Sequence, residues 1–223
     1  PSISLHTKFN EDIEGDVIYY RGNLATLFMC LAIKLCDGGE IEDREKWSLL
    51  DAYTTQWMQR HGPCKTLHFD GEKGYDNETI REELQRLGTT LQVRARGQHT
   101  RNIDARTAVM RVTMHLIEED LKRHNHTIPF KRLLAEGIFV TNAFTFYNGV
   151  SPLNAHTGRQ PACLPDFEMP DFPEKAETAD HRKEQVVRQA SLGAITQCTA
   201  VRKINQALRA KSIISGAKLY KAG

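Results

Sequence analysis

The sequence lacks any apolar run near the roughly 20 residues that a membrane-spanning helix needs, which excludes an integral membrane protein. It also lacks a start methionine and the charged, apolar and small-residue segments of a secretion signal. We therefore expect Pro1 to lie within a longer protein. The sequence does not indicate a destination.

Cysteine is sparse, with five residues that lie far apart and form no Cys-x-x-Cys pair. An odd number at this spacing predicts free thiols in a reducing intracellular compartment rather than a disulfide framework. Histidine and cysteine come together at His61 and Cys64, and two histidines at His124 and His126. Neither group has the partner pair of a zinc finger, so we expect no structural zinc.

Acidic residues are missing from residues 185–223, which contain seven lysines and arginines. Because the net charge of the whole chain is only +2, the preceding residues are net negative. A cationic arm on an acidic body usually contacts a polyanion, above all nucleic acid. The alternatives are a solvated helix face and a protein-binding helix that presents Val201, Ile204 and Leu208. The candidate nucleic-acid-binding residues are Arg188, Arg202, Lys203, Arg209, Lys211, Lys218 and Lys221.

The pattern of apolar residues predicts an α/β fold. Residues 3–9, 17–20 and 24–36 predict three antiparallel strands, with turns at Gly15-Asp16 and Gly22-Asn23. Helices and strands then alternate. Because strands joined through a helix run parallel, we expect a mixed five-stranded sheet flanked by helices. The expected helices cover residues 43–60, 77–87, 101–124 and 129–147, and the expected strands cover residues 65–69 and 89–95.

The length of 223 residues suits one globular domain with an appendage. We expect a core at residues 1–148 and a closing loop, rich in proline and glycine, at residues 149–173. A basic helical arm should follow at residues 174–223.

Four short segments resemble those of a known family. They are His61-Gly62-Pro63 with Leu67-His68-Phe69-Asp70-Gly71, then Gly97-Gln98-His99 to Asp104, then Phe146-Tyr147-Asn148-Gly149, and finally Thr157-Gly158-Arg159-Gln160-Pro161. In this order they resemble the catalytic core of retroviral and long-terminal-repeat retrotransposon integrases, most closely the copia type. The resemblance covers residues 1–168 and implies a ribonuclease H-like fold. It also implies that Asp70 is the second catalytic acid and that Asp104 replaces the third, normally Glu.

The first acid of such a site is expected near Thr7, on the opening strand, but residues 3–9 contain no carboxylate. Glu11 and Asp12 follow shortly and could replace it. In this chemistry two divalent ions, about 4 Å apart, hold the attacking and leaving oxygens, and Mg²⁺ prefers oxygen ligands. A missing first acid and a shortened third acid together predict a degenerate site. Asp70 and Asp104 would then bind Mg²⁺ or Mn²⁺ only if the protein is active.

Three functional hypotheses remain open. The favoured one is a nonenzymatic, retrotransposon-integrase-derived subunit without a cofactor, which is structural or contacts nucleic acid in a larger assembly such as a ribonucleoprotein. The second is an active integrase that performs Mg²⁺-dependent 3′ processing and strand transfer of DNA, with Glu11 or Asp12 completing the acids. The third is another ribonuclease H-like nuclease or an unrelated structural module.

The acids also have ordinary structural explanations. Asp70 could simply occupy a turn, and Asp104 could be an acid favoured by the helix dipole. As partners we expect nucleic acid, either DNA or RNA, and other protein subunits. We also expect self-association and no contact with a membrane.

Overall fold

The computed structural model describes residues 8–69, 77–93, 101–159 and 179–209. Within these ranges, five strands form one sheet in the order β3-β2-β1-β4-β5. The first three strands form an antiparallel meander, and β4 and β5 run parallel to β1. The predicted mixed sheet is therefore confirmed. The strands are β1 (Asp12–Tyr20), β2 (Asn23–Cys30), β3 (Cys36–Ile41), β4 (Thr66–Phe69) and β5 (Thr90–Val93).

Helices cover both faces of the sheet. They are α1 (Lys46–Ala52), a π-helical stretch (Tyr53–Met58), α2 (Gln59–His61), α3 (Glu78–Arg86), α4 (Arg101–Arg123), α5 (Phe130–Phe144), α6 (Pro152–Thr157) and α7 (Ala179–Arg209). None of the helices in the described ranges is both long and apolar enough to cross a bilayer.

Each face of the sheet has its own hydrophobic cluster. Under one face, Trp57 and Tyr53 from the π-helical stretch pack against Phe28 of β2 and Phe69 of β4. On the other face, Ile18 of β1 packs in a cluster with residues of α4, α5 and α7. The alternation of side chains along β1 divides the strand between the two clusters.

The opening strand lies later in the chain than predicted. Lys8 and Phe9 lie in a bend and a turn, and residues 1–7 are outside the described ranges, so the strand expected at 3–9 is wrong where it can be seen. The turn expected at Gly15-Asp16 is also wrong, because both residues lie inside β1. Glycine is required at this position because a Cβ on Gly15 would overlap the ring of Phe69 on β4.

The helix expected at residues 77–87 is confirmed as α3. Asn77 caps α3 by accepting a hydrogen bond from the backbone N–H of Thr79 at 3.0 Å. Gly88, with φ at 86°, follows the end of that helix. In the first expected helix, at residues 43–60, Trp57 is buried whereas Trp47 is 54% exposed.

The predicted closing loop contains a helix that was not expected, whereas the basic arm is helical as predicted. Residues 152–157 form helix α6, whose cap Ser151 accepts a hydrogen bond from the backbone N–H of Asn154. The first half of α7 packs against α4 and α5 through buried Val187, Ala190 and Ala194. Side chains from residue 201 to residue 208 are exposed. The domain boundaries themselves stay a prediction.

An ion-pair cluster joins α5 to α7. Glu136 is 3% exposed, and its carboxylate lies 2.9 Å from Arg132 and 3.1 Å from Arg188. The Arg188 guanidinium also lies 4.4 Å from the ring centre of Phe139. Arg188, a predicted nucleic-acid contact, is thus engaged within the domain.

Candidate active site

Two carboxylates of β1, Glu14 and Asp16, contact α4 from the face of the sheet that this helix covers. Ile13 and Val17 belong to the cluster on the opposite face, whereas Ile18 belongs to the cluster that contains α4 residues. Because side chains alternate along a strand, Glu14 and Asp16 lie on the same face as Ile18. The opening strand therefore carries the acids that residues 3–9 lack.

Glu14 fixes the beginning of α4. Its side chain is 1% exposed, and its Oε2 atom accepts a hydrogen bond from the backbone N–H of Ile103 at 3.0 Å. Its Oε1 atom lies 3.5 Å from the amide nitrogen of Asn102. A carboxylate suits this place because the first N–H groups of a helix have no partner within the helix and carry the positive end of its dipole. Glu14 is thus a positioning residue for the first turn of α4.

Asp16 lies against the same part of α4. The hydroxyl of Thr107 donates a hydrogen bond to Oδ2 of Asp16 at 3.4 Å. Thr107 follows half-buried Asp104 by three positions, and residues at this spacing are neighbours on a helix surface. Asp104 therefore lies one helical turn before the residue that bonds Asp16, on the first two turns of α4.

Asp70 lies outside the described residues, so its side chain is not placed. The residue before it, Phe69, ends β4 and pairs with Gly15 in the parallel ladder. Asp16 is the residue after Gly15. Asp16 and Asp70 are thus the residues that directly follow two paired positions, Gly15 of β1 and Phe69 of β4.

The substitutes expected for the first acid lie elsewhere. Glu11 is in the turn before β1, 3.9 Å from the ammonium of Lys8. Asp12 begins β1, and its carboxylate lies 3.2 Å from Nε2 of His68. At about 3.3 Å per residue, Asp12 is about 13 Å along the strand from Asp16. Thr7 is outside the described residues.

The cationic residues of α7 separate into two groups. Arg188 is held by Glu136, whereas Arg202 and Lys203 are exposed. The side chain of Arg209 and all of Lys211, Lys218 and Lys221 lie outside the described residues.

The sequence interpretation missed Glu14 and Asp16. The available signal was the alternation of acidic and apolar residues from Asp12 to Ile18, which is typical of a strand with one polar face. Gly15 concealed this signal because an isolated glycine between polar residues resembles a turn.

Comparisons with known proteins identify the fold. No family model and no curated protein matches the sequence. The HTLV-2 integrase catalytic core domain in complex with magnesium, in its trimeric form, aligns with a TM-score of 0.54 at 10% identity, over 66% of this chain and 96% of that chain. The BIV integrase catalytic core domain gives 0.54 at 9% identity, over 66% and 93%. The fold is that of a retroviral integrase catalytic core.

A third solved structure extends the similarity along this chain. It is a simian T-cell lymphotropic virus intasome in complex with PP2A regulatory subunit B56 gamma, which aligns with a TM-score of 0.58 at 10% identity. The alignment covers 77% of this chain and 59% of that chain. The predicted ribonuclease H-like fold is thereby confirmed, and the copia-type relationship stays a prediction.

Proposed function

We propose that this integrase-like domain is a metal-dependent polynucleotidyl transferase whose acids are Asp16, Asp70 and Asp104. One observation carries the proposal. Asp16 on the central strand accepts a hydrogen bond from Thr107, one helical turn from Asp104. Two carboxylates on adjoining elements, together with Asp70, which directly follows β4 in the sequence, supply the number and type of acids that phosphoryl transfer requires.

The corrected position of β1 favours the active function over the nonenzymatic one. The nonenzymatic hypothesis depended on an opening strand without a carboxylate at residues 3–9. The described strand is instead Asp12–Tyr20, and it carries Glu14 and Asp16 on the face toward α4. A missing carboxylate on the opening strand is therefore no longer a reason to expect an inactive protein.

The available donors fit a hard divalent cation. Asp16, Asp70 and Asp104 would offer only carboxylate oxygens, the ligands that Mg²⁺ and Mn²⁺ prefer. Within the described ranges no three acidic, histidine or cysteine side chains converge, and the third donor of the proposed set lies outside those ranges. When bound, such ions stabilise the charge on the attacking and leaving oxygens of a phosphodiester.

The residues around the acids have separate tasks. Glu14 holds the first turn of α4 and so fixes the place of Asp104 relative to β1. The Thr107 hydroxyl orients the carboxylate of Asp16. Asp104 is one methylene shorter than Glu, and because a displacement near 1 Å can cost about a hundredfold in rate, this support is important. Exposed Arg202 and Lys203 supply positive charge for a nucleic-acid backbone.

The decisive experiment measures nicking and joining of end-labelled DNA in Mg²⁺ and in Mn²⁺. The full chain should give metal-dependent products, and Asp16→Asn should lower the rate by at least about a hundredfold because it removes a ligand charge. Asp12→Asn is the matched control, since it is the same substitution on the same strand but at the distant end. It should stay within about threefold of the unmodified chain.

Two results would contradict the proposal. Equal rates for Asp16→Asn and the unmodified chain would remove Asp16 from the site. An inactive full chain in both metals, together with copurification in a nucleic-acid-containing assembly, would favour the nonenzymatic subunit.

A further inference from the structure

A small cavity beside the start of α4 is lined by cations. Its volume is about 180 Å³, and its charged lining residues are Lys34 from the β2–β3 connection, Arg106 from α4 and Arg202 from α7. None of the described residues that line it is acidic. Three like charges that converge from separate elements repel one another, so the arrangement favours a counter-anion.

Arg106 is the most unusual member of this group. It is 2% exposed, and its Nη2 atom donates a hydrogen bond to Oδ1 of Asn142 at 2.8 Å. Asn142 is itself held by the backbone of Cys36, whose N–H and C=O lie 3.0 and 2.6 Å from the amide. This clamp fixes the guanidinium at the cavity wall.

The Arg106 guanidinium also lies beside the Cys36 thiol. Within the described part of the chain, its buried Nε and Nη1 atoms have no hydrogen-bond partner, and neither does the Oγ1 atom of Thr145, which also lines the cavity. Among the residues that the structure describes, none provides a carboxylate within ion-pair distance of Arg106. Buried donors of a charged group without acceptors are costly, and an oxyanion in the cavity would satisfy them.

Lys34 is a second, half-buried cation in the cavity wall. Burial lowers the pKa of its ammonium group, although the nearby Glu14 carboxylate opposes this effect. Its Nζ atom donates to Oδ1 of Asn102 at 3.3 Å. A bound anion would favour the charged form of Lys34.

We propose that this cavity binds one phosphate-type oxyanion. A volume of about 180 Å³ is below the roughly 300 Å³ of pockets that enclose drug-sized ligands, so it suits a single phosphate group rather than a nucleotide. The planar guanidinium fork of Arg106 matches the geometry of paired phosphate oxygens. The phosphate group could be free inorganic phosphate or a phosphodiester of a nucleic acid that lies along α4. The proposal uses none of the acids of the proposed active site.

Calorimetry of the full chain in EDTA tests the pocket without metal or catalysis. Inorganic phosphate should bind, and chloride at equal ionic strength should not reproduce the heat. Arg202→Gln and Lys34→Gln should each weaken phosphate binding by about tenfold, because each removes a charged hydrogen-bond donor. Lys183→Gln is the matched control, since Lys183 is an exposed lysine of α7 that does not line the cavity.

Arg106→Lys separates charge from geometry. This variant keeps the positive charge but loses the planar guanidinium, so we expect about tenfold weaker binding of inorganic phosphate. An unchanged far-ultraviolet circular dichroism spectrum should show that the variant is folded. No phosphate-specific heat, or equal affinities for the unmodified chain and the Arg202 and Lys34 variants, would overturn the proposal.

A second titration identifies the source of the anion. If phosphate displaces a short single-stranded oligonucleotide in the unmodified chain but not in Arg202→Gln, the cavity takes a backbone phosphate. If the oligonucleotide leaves phosphate binding unchanged, the cavity takes the free ion. Since neither titration contains a divalent metal, its outcome is independent of whether the chain is an active transferase.

Discussion

Replacing Gly15 by alanine is the sharpest structural test of the β1 position. Gly15 lies in the middle of β1, between Glu14 and Asp16, and pairs with Phe69 of β4. A Cβ at this position would overlap two carbons of the Phe69 ring. That ring is 0% exposed and packs edge to face on Phe28 at 6.4 Å, so it has little room to move away.

The expected cost follows from the close packing of this core. Inserting a methyl group into a well-packed interior typically costs about 1–3 kcal/mol. For a domain of this size, each kcal/mol lowers the melting temperature by about 2–4 °C, so a cost near 2 kcal/mol predicts a decrease of about 4–8 °C. Thermal unfolding followed by circular dichroism measures the decrease. Phe69→Leu, combined with Gly15→Ala, should restore part of the loss because the smaller side chain leaves room for the methyl group.

Gly193→Ala is the matched control. Gly193 lies within α7, and a Cβ there would meet nothing within 4 Å. Alanine is favoured over glycine inside a helix by about 1 kcal/mol, so this variant should be slightly more stable. If Gly15→Ala is as stable as the unmodified chain, Gly15 lies in an open turn, and β1 is not where the structure places it.

Three further predictions concern the core, the α5–α7 interface and the exposed part of α7. Burial raises the pKa of the Cys36 thiol to about 12 and that of the Cys64 thiol to about 11, from an ordinary value of 9.0. Because the folded state keeps protons that the unfolded state loses, the free energy of unfolding should fall as the pH rises above about 9, measured by urea titration; a flat profile from pH 8 to 11 would contradict this. Glu136→Ala should cost about 1–3 kcal/mol in urea unfolding, since half-exposed Arg188 loses its carboxylate partner while Arg132 keeps Glu184; a loss below about 0.5 kcal/mol would show that the cluster is unimportant. Arg202→Gln combined with Lys203→Gln should reduce the slope of log affinity against log salt by about 2 in nucleic-acid binding, and an unchanged slope would remove α7 from the interface.

Local sequence signals predicted much of the fold. Asn77 and Gly88 mark the ends of α3 because a cap and a left-handed glycine depend only on adjacent backbone. The parallel arrangement of β4 and β5 followed from the helices between strands. Such features need no knowledge of distant contacts.

The position of β1 depends on contacts that are distant in sequence. Gly15 resembles a turn residue until Phe69, far along the chain, is known to occupy the space beside it. The interpretation of Gly15 as a turn, together with the alternation of Ile3, Leu5, Thr7 and Phe9, placed the opening strand at residues 3–9. It also placed the search for the first acid at Thr7, Glu11 and Asp12.

The candidate site was therefore predicted only in part. Asp104 could be assigned because its helix was evident from the sequence, whereas Asp16 could not be, since its strand was displaced. The basic arm shows a similar limit. Composition predicted its charge, but only the packing of Ala190 and Ala194 against the domain shows where the exposed part of α7 begins.

A crystal of the full chain soaked in Mn²⁺ tests the proposed site most directly. Anomalous scattering should show manganese within about 2.0–2.4 Å of a carboxylate oxygen of Asp16, with Asp104 facing the same ion or its neighbour. The peak should be absent in crystals of Asp16→Asn. Manganese bound only at other carboxylates, or none at Asp16 under saturating metal, would contradict a metal-dependent active site between β1 and α4.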